Sequence, residues 1–300
     1  MEQTIKQSNN KIKPSSRISK DEKIFSIINY TVLILFGLAC LYPFLNVIAV
    51  SFSEPGKVIS GQVSLFPKGF NFVGYKYVFK NEQFFQSLKI SILVTTLGTL
   101  ISVMVMTLAA YPLSKKDLPG RKGIMVFFII VMLFSGGIIP NFLLVKEIGL
   151  LNTTPALIFP SVVQVFHLLL LKNYFEGLPK ELEESAKIDG ASNMQILFRI
   201  IAPISIPVIA TVSLFTAVIY WNNYFNAMLY TPTNESVWPL PFFIYNYLNS
   251  QPDILNQEQQ LYREVIKAAT VISSTIPILL VYPFMQRFFV KGVVVGSVKG

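Results

Sequence analysis

Six long stretches of this sequence contain no Asp, Glu, Lys or Arg: Ile24–Ser53, Ile90–Ser114, Gly123–Val145, Ile148–Leu171, Ile200–Asn234 and Ala268–Gln286. A helix rises 1.5 Å per residue, so about 20 residues cross the ~30 Å hydrocarbon layer of a bilayer. Each run is long enough or nearly so. Charged residues make up 14% of the 300-residue chain and apolar ones 52%. A soluble domain holds roughly a quarter charged residues, and the excess apolar content sits in these runs instead of being spread through one core. The expectation is an all-α, polytopic membrane protein with six transmembrane helices. A seventh uncharged stretch, Ser236–Pro252, contains Pro239 and Pro241 and several amides. It reads as an external loop at the membrane surface.

The basic residues fix the orientation. Lys6, Lys11, Lys13, Arg17, Lys20 and Lys23 precede the first run; Lys115, Lys116, Arg121 and Lys122 separate the second from the third. Lys172, Lys180, Lys187 and Arg199 fall between the fourth and fifth, and Arg287, Lys291 and Lys299 follow the last. The larger share of the 25 basic residues thus falls on one side, the side that faces the cytoplasm. Both termini are expected in the cytoplasm of a multi-pass cell-membrane protein. The net charge of +9 follows from this asymmetry and calls for no nucleic acid partner. The first run exceeds a signal-peptide core and lacks a small-residue cleavage site, so it is expected to stay as a span. Cys40 is the only cysteine, which excludes an internal disulfide.

The segment with most information is the loop of residues 176–203. Pro179 suits the first turn of a helix, and Glu181, Glu183 and Glu184 follow where the positive helix end favours acids. Gly190 supplies a left-handed stop. Ser192 and Gln195 have capping-box spacing for a second helix that runs to Pro203. The first helix is too short to be stable alone in water and needs a partner surface.

Glu184-Ser185-Ala186-Lys187-Ile188-Asp189-Gly190-Ala191, with Ile200 and Pro203, resembles the signature loop of binding-protein-dependent ABC importer permeases. The departures are Ser185 for an alanine and Ala202 for a leucine. The resemblance implies a type I importer permease fold and a coupling helix seated in a groove of a separate cytoplasmic ATPase subunit. Glu184 and Asp189 would make polar contacts there, Ser185, Ala186 and Ala191 would allow close approach, and Gly190 would make the turn. Ser135–Pro140, Trp221–Ala227 and Gln286–Gly292 resemble the carbohydrate branch, the maltose-type (MalG-like) permeases, and the ending resembles permeases of complex-oligosaccharide importers. That branch implies an oligosaccharide substrate, a second permease subunit, an extracytoplasmic solute-binding protein, and a C-terminal tail (Gly296, Ser297, Lys299) that reaches the ATPase. The expected organisation is a disordered cytoplasmic tail over 1–23, a permease domain over 24–289 and a cytoplasmic tail over 290–300.

No phosphate-binding Gly-x-x-x-x-Gly-Lys-Ser/Thr occurs, so ATP and Mg²⁺ are expected on the partner ATPase. No catalytic residues are expected. His167, the lone histidine, has no companions for a metal site and reads as a hydrogen-bonded intramembrane residue. The charge-free spans argue against a proton relay. Tyr220, Trp221, Asn222, Asn223, Tyr224 and Asn226 combine aromatic faces with amides. They either line the translocation pathway or form an interfacial belt. The aromatic stretch Trp238–Tyr247 either contacts the binding protein or packs on the membrane surface. The same machinery importing a non-sugar solute, or an ATP-independent transporter, remains an alternative.

Overall fold

The computed structural model describes residues 20–249, 262–280 and Pro283. Among these residues the chain is helical, with no strand. The elements are α1 (Lys20–Ser51), α2 (Pro55–Ile59), α3 (Val73–Lys80), α4 (Glu82–Ser114), α5 (Arg121–Leu133), α6 (Ile138–Glu147), α7 (Pro155–Ile158) and α8 (Val165–Glu176). They continue as α9 (Glu181–Ile188), α10 (Asn193–Ile196), α11 (Ala202–Ile204), α12 (Ile206–Trp221), α13 (Tyr224–Tyr230) and α14 (Leu240–Asn249), followed by α15 over 262–280.

The bundle is built on α4. Asn81 caps its start by accepting from the backbone N–H groups of Gln83 and Phe84. Its buried positions Ser87, Ser91, Val94, Gly98, Ser102 and Met106 recur every three or four residues, one face of a helix. Most are small, which lets neighbouring backbones approach closely in a membrane bundle. α8 and α12 pack on this helix, and Met106, Ala110, Leu168, Leu171, Ile196, Leu197, Ile201 and Val212 form the main core. His167 is buried there, its Nδ1 3.1 Å from Thr216 Oγ1 and its ring stacked on Phe215. α1 differs: its apolar side chains from Ile24 to Phe44 are exposed, and burial begins only near Ala49. After α1, Phe52 packs on Phe70, Phe72 and Tyr75, and the Ser51 and Tyr75 hydroxyls lie 2.9 Å apart. The segment between α1 and α4 thus packs as a small cap, with α2 and α3 inside it.

Two expected spans, α1 and α4, are single long rods; three others are bent. α5 and α6 meet at 110° across Ser135–Gly137. Gly137 sits there at φ 87°, ψ 171°, a region essentially closed to other residues. α7 and the 3₁₀ turn after it meet α8 at 51°, where Pro160 lacks an N–H to continue the ladder. The α10–α11 rod meets α12 at 84° at Ser205. It carries a π turn over Leu197–Ile201 ahead of Pro203, and Pro207 opens the next helix. These give five candidate crossings among the described residues. The sixth run extends beyond them. α15 begins ahead of that run, with Arg263, Glu264 and Lys267 in its first turns.

One expectation is corrected. Ser236–Pro252 is not a surface loop within its described part: α14 is a helix with Pro241 in its first turn, where proline costs no hydrogen bond. Leu240, Phe242 and Phe243 are buried, and the Leu240 N–H donates to Ser91 Oγ at 2.7 Å on α4. These three side chains pack against protein, while Tyr245 stays exposed.

Candidate functional site

α9 is a short helix with designed ends. Glu181, Glu183 and Glu184 occupy its first turn. At its far end Gly190 adopts φ 78°. The Ala191 N–H donates to Ala186 O at 2.9 Å and the Gly190 N–H to Lys187 O at 3.0 Å, the paired bonds of a Schellman stop. The chain then re-enters a helix through a capping box: Ser192 N–H donates to Gln195 Oε1 at 2.8 Å, and Gln195 N–H to Ser192 Oγ at 3.4 Å. Helix, glycine turn and second helix lie where the sequence placed them. Ala186 is buried in the main core cluster together with Ile196 and Leu197, so its small side chain permits close packing inside this chain. Ala191 is half-buried, while Glu184, Ser185, Asp189 and Gly190 are exposed. Beside them Ile188 is 86% exposed, the most exposed large apolar side chain on a helix rich in acids.

Two charge clusters tie this end of the bundle together. Lys115, the residue that ends α4, pairs with Glu183 of α9 and lies 4.2 Å above the Tyr111 ring. Its charge also complements the negative end of α4. Arg121, which starts α5, donates from Nη2 to Glu176 Oε2 and from Nε to Leu113 O, both at 2.8 Å. Lys172 pairs with the same Glu176 carboxylate. The sequence showed these lysines and arginines only as a topological bias. The available signal was that a basic loop (Lys115, Lys116, Arg121, Lys122) and an acidic one (Glu176, Glu181, Glu183, Glu184) fall on the same side.

The second candidate region lies at the far end of α12, a helix roughly 24 Å long at 1.5 Å per residue. There the chain breaks at Asn222–Asn223 and restarts as α13, with Asn223 Oδ1 accepting from the Asn226 N–H at 3.2 Å. Asn226 Nδ2 donates to Ser161 Oγ at 3.2 Å, and Gln164 Nε2 to Ser161 O at 3.3 Å. Asn223 Nδ2 and Gln164 Oε1 are buried with no hydrogen-bond partner among the described residues. Tyr224 is exposed and stacks on Tyr245, centroids 5.6 Å apart. Asn222 bonds back to Val218 O, and Trp221 packs against the cluster of Phe84 and Phe243. Tyr220 is different. It is 2% exposed, its hydroxyl donates to Ile158 O at 3.0 Å and lies 2.9 Å from Ser102 Oγ, and its ring covers Gly98. Six residues adjacent in sequence therefore divide: Asn223, Tyr224 and Asn226 face a polar break, while Tyr220 is a packing residue. Ser161 and Gln164, which join that break, were missed because they lie far off in sequence. The tail residues Gly296, Ser297 and Lys299 lie outside the described residues.

An α4-centred helical bundle with broken spans and a short outward helix between two of them is the architecture of a transporter membrane subunit. The family described as binding-protein-dependent transport system inner membrane component matches residues 94–295, and this chain belongs to that family. It is 42% identical to the polygalacturonan/rhamnogalacturonan transport system permease protein YtcP of Bacillus subtilis (strain 168), over 93% of this chain and 99% of that protein. It is 41% identical to protein LplC of the same organism, over 94% and 97%. Its fold matches a chain in the crystal structure of a bacterial ABC transporter that imports the acidic polysaccharide alginate. The TM-score is 0.85 at 31% identity, over 90% of this chain and 98% of that one.

Proposed function

We propose that this chain is the permease subunit of an ATP-driven importer of oligosaccharides, with both termini in the cytoplasm. It forms half of the translocation pathway beside a second permease, receives sugar from an extracytoplasmic binding protein, and is driven by a separate ATPase that holds ATP and Mg²⁺. The observation that carries this reading is α9. An eight-residue helix is held rigidly by a Schellman stop and a capping box, and it presents Ile188 among Glu184, Ser185 and Asp189. An exposed isoleucine at the head of a rooted helix is suited to a docking groove. A rigid motion of the docked subunit then reaches the bundle through α8 and through the α10–α11 rod. Relatives and neighbours are named for the transport of polygalacturonan/rhamnogalacturonan, trehalose/maltose and alginate, which supports the carbohydrate reading. At the α12–α13 break, the Asn223 donor and the Gln164 acceptor are suited to sugar hydroxyls, and Tyr224 and Tyr245 to sugar ring faces. Broken spans commonly line transport sites.

The test is ATPase stimulation in the purified complex with its binding protein, across galacturonate oligomers, alginate oligomers, neutral oligosaccharides and peptides. Stimulation by an oligosaccharide class alone supports the reading. Stimulation by peptides, with none by any sugar, would keep the importer and remove the sugar.

A further inference from the structure

α9 is joined through the chain to α8 on one side and to the α10–α11 rod and α12 on the other. α4, against which both α8 and α12 pack, has no such connection to it. We propose that Lys115 and Glu183 form a cross-brace that makes α9 and the end of α4 one rigid body, so that motion at α9 is delivered directly to the central helix. This inference rests on the importer reading above and assigns positioning roles to Lys115, outside the loop of residues 176–203, and to Glu183, just ahead of the residues that carry the resemblance.

Four observations carry it. First, the pair is largely shielded, with Lys115 and Glu183 side chains 26% and 15% exposed, and Lys115 is further held over Tyr111. A shielded pair is screened less than a surface one. Second, side-chain packing does not fill the space beside it. A cavity of about 360 Å³ separates α4 and the α4–α5 turn from α9 and α10, lined by Tyr111, Lys115, Asp117, Lys187, Asn193 and Leu197 among others. Lys115 lines this opening and reaches Glu183 beside it. Third, the turn carrying Lys115 is stiff: Lys115 N–H donates to Pro112 O, Arg121 N–H to Leu118 O, and Gly120 closes it at φ 72°. Fourth, Arg121 pins the far side of the same turn to Glu176 and to Leu113 O. Lys115–Glu183 thus ties α9 to the end of α4, and Arg121 ties the same turn to the end of α8.

The experiment uses the complex purified through a tag on the full chain, with Cys40→Ser as background and spin labels at Asp117→Cys and Lys187→Cys, both exposed. Distances are recorded without nucleotide and after trapping with ATP, Mg²⁺ and vanadate. A rigid brace gives one narrow distance, unchanged between the two states. Lys115→Gln and Glu183→Gln lose that single distance in the trapped state, while Lys115→Glu combined with Glu183→Lys regains it. The ATPase recovered per permease stays the same in every variant. A distance that changes with nucleotide in the unaltered pair overturns the brace, as do single variants that keep the narrow distance. Loss of ATPase from Glu183→Gln that the reversed pair does not restore also overturns it, because Glu183 would then be a docking contact. Failure of any ATPase to copurify, even with the unaltered pair, is a different result and removes the importer reading itself.

Discussion

Tyr220 and Asn223 stand three residues apart and do opposite things. Tyr220 fills the space left by Gly98, where even an added methyl would sit 2.8 Å from the ring, and bridges Ser102 to Ile158 O. Removing its hydroxyl leaves buried groups short of a partner, at a cost of about 1–3 kcal/mol. Asn223 carries a buried amide that nothing in the described structure accepts, so its stability contribution beyond the α13 cap is small. The expected outcome is that Tyr220→Phe lowers the melting temperature in detergent without changing which solute stimulates the ATPase. Asn223→Ser, which keeps a capping oxygen for α13 and loses the amide donor without burying a charge, weakens solute stimulation at nearly unchanged melting temperature. The reverse pattern would return Tyr220 to the pathway and make Asn223 the packing residue. An equal share in sugar contact for Tyr220 to Tyr224 and Asn226 was a natural reading of composition. Only the fold shows that one ring points into a glycine notch on α4.

Elements were legible where the determinants are local. Gly190, Ser192 and Gln195 act within a few residues of themselves, and the α9–turn–α10 segment follows from them. Replacing Gly190 by Ala forces an L residue into the left-handed region at a cost of about 1–2 kcal/mol. Hydrogen exchange of the amides over 186–191 should therefore speed up while α4 and α12 are unaffected. Unchanged exchange there would mean that the stop is held by contacts other than its glycine. The bends were less legible, because a charge-free run reports apolar length and not direction. Gly136–Gly137, Pro160, Pro203 and Pro207 were visible, but whether such residues kink, break or merely punctuate a helix depends on what packs beside them. α14 was misread for the same reason: Pro239 and Pro241 look like breakers until the first turn falls on them. The two charge clusters could not be read at all from one segment, since their partners lie 55 and 68 residues apart.

At the scale of the whole molecule, the described residues separate two ends with different chemistry. One end holds α9, the Lys115–Glu183 and Arg121–Glu176–Lys172 clusters and the stiff α4–α5 turn; the other holds the polar break between α12 and α13. α4 and α12 join them, and the 84° bend at Ser205 lies where α9's rod meets α12. A force applied at α9 thus has a direct route to the far break through packed helices, with the rod acting as a lever. The exposed apolar length of α1 is suited to lipid or to the second permease and takes no part in that route.

The central claim is that α9 is the seat of a separate ATPase, and a mild-detergent pull-down of the tagged chain from native membranes tests it most directly. The comparison is with Ile188→Lys combined with Glu184→Gln, two exposed positions where the new side chains stay compatible with the helix dipole of α9, and hydrogen exchange over 186–191 checks that the helix is kept. An ATPase and a second permease should be recovered with the unaltered chain, and the ATPase alone should be lost from the variant. Equal recovery of the ATPase from both would contradict the claim and leave α9 as a surface helix with no docking role.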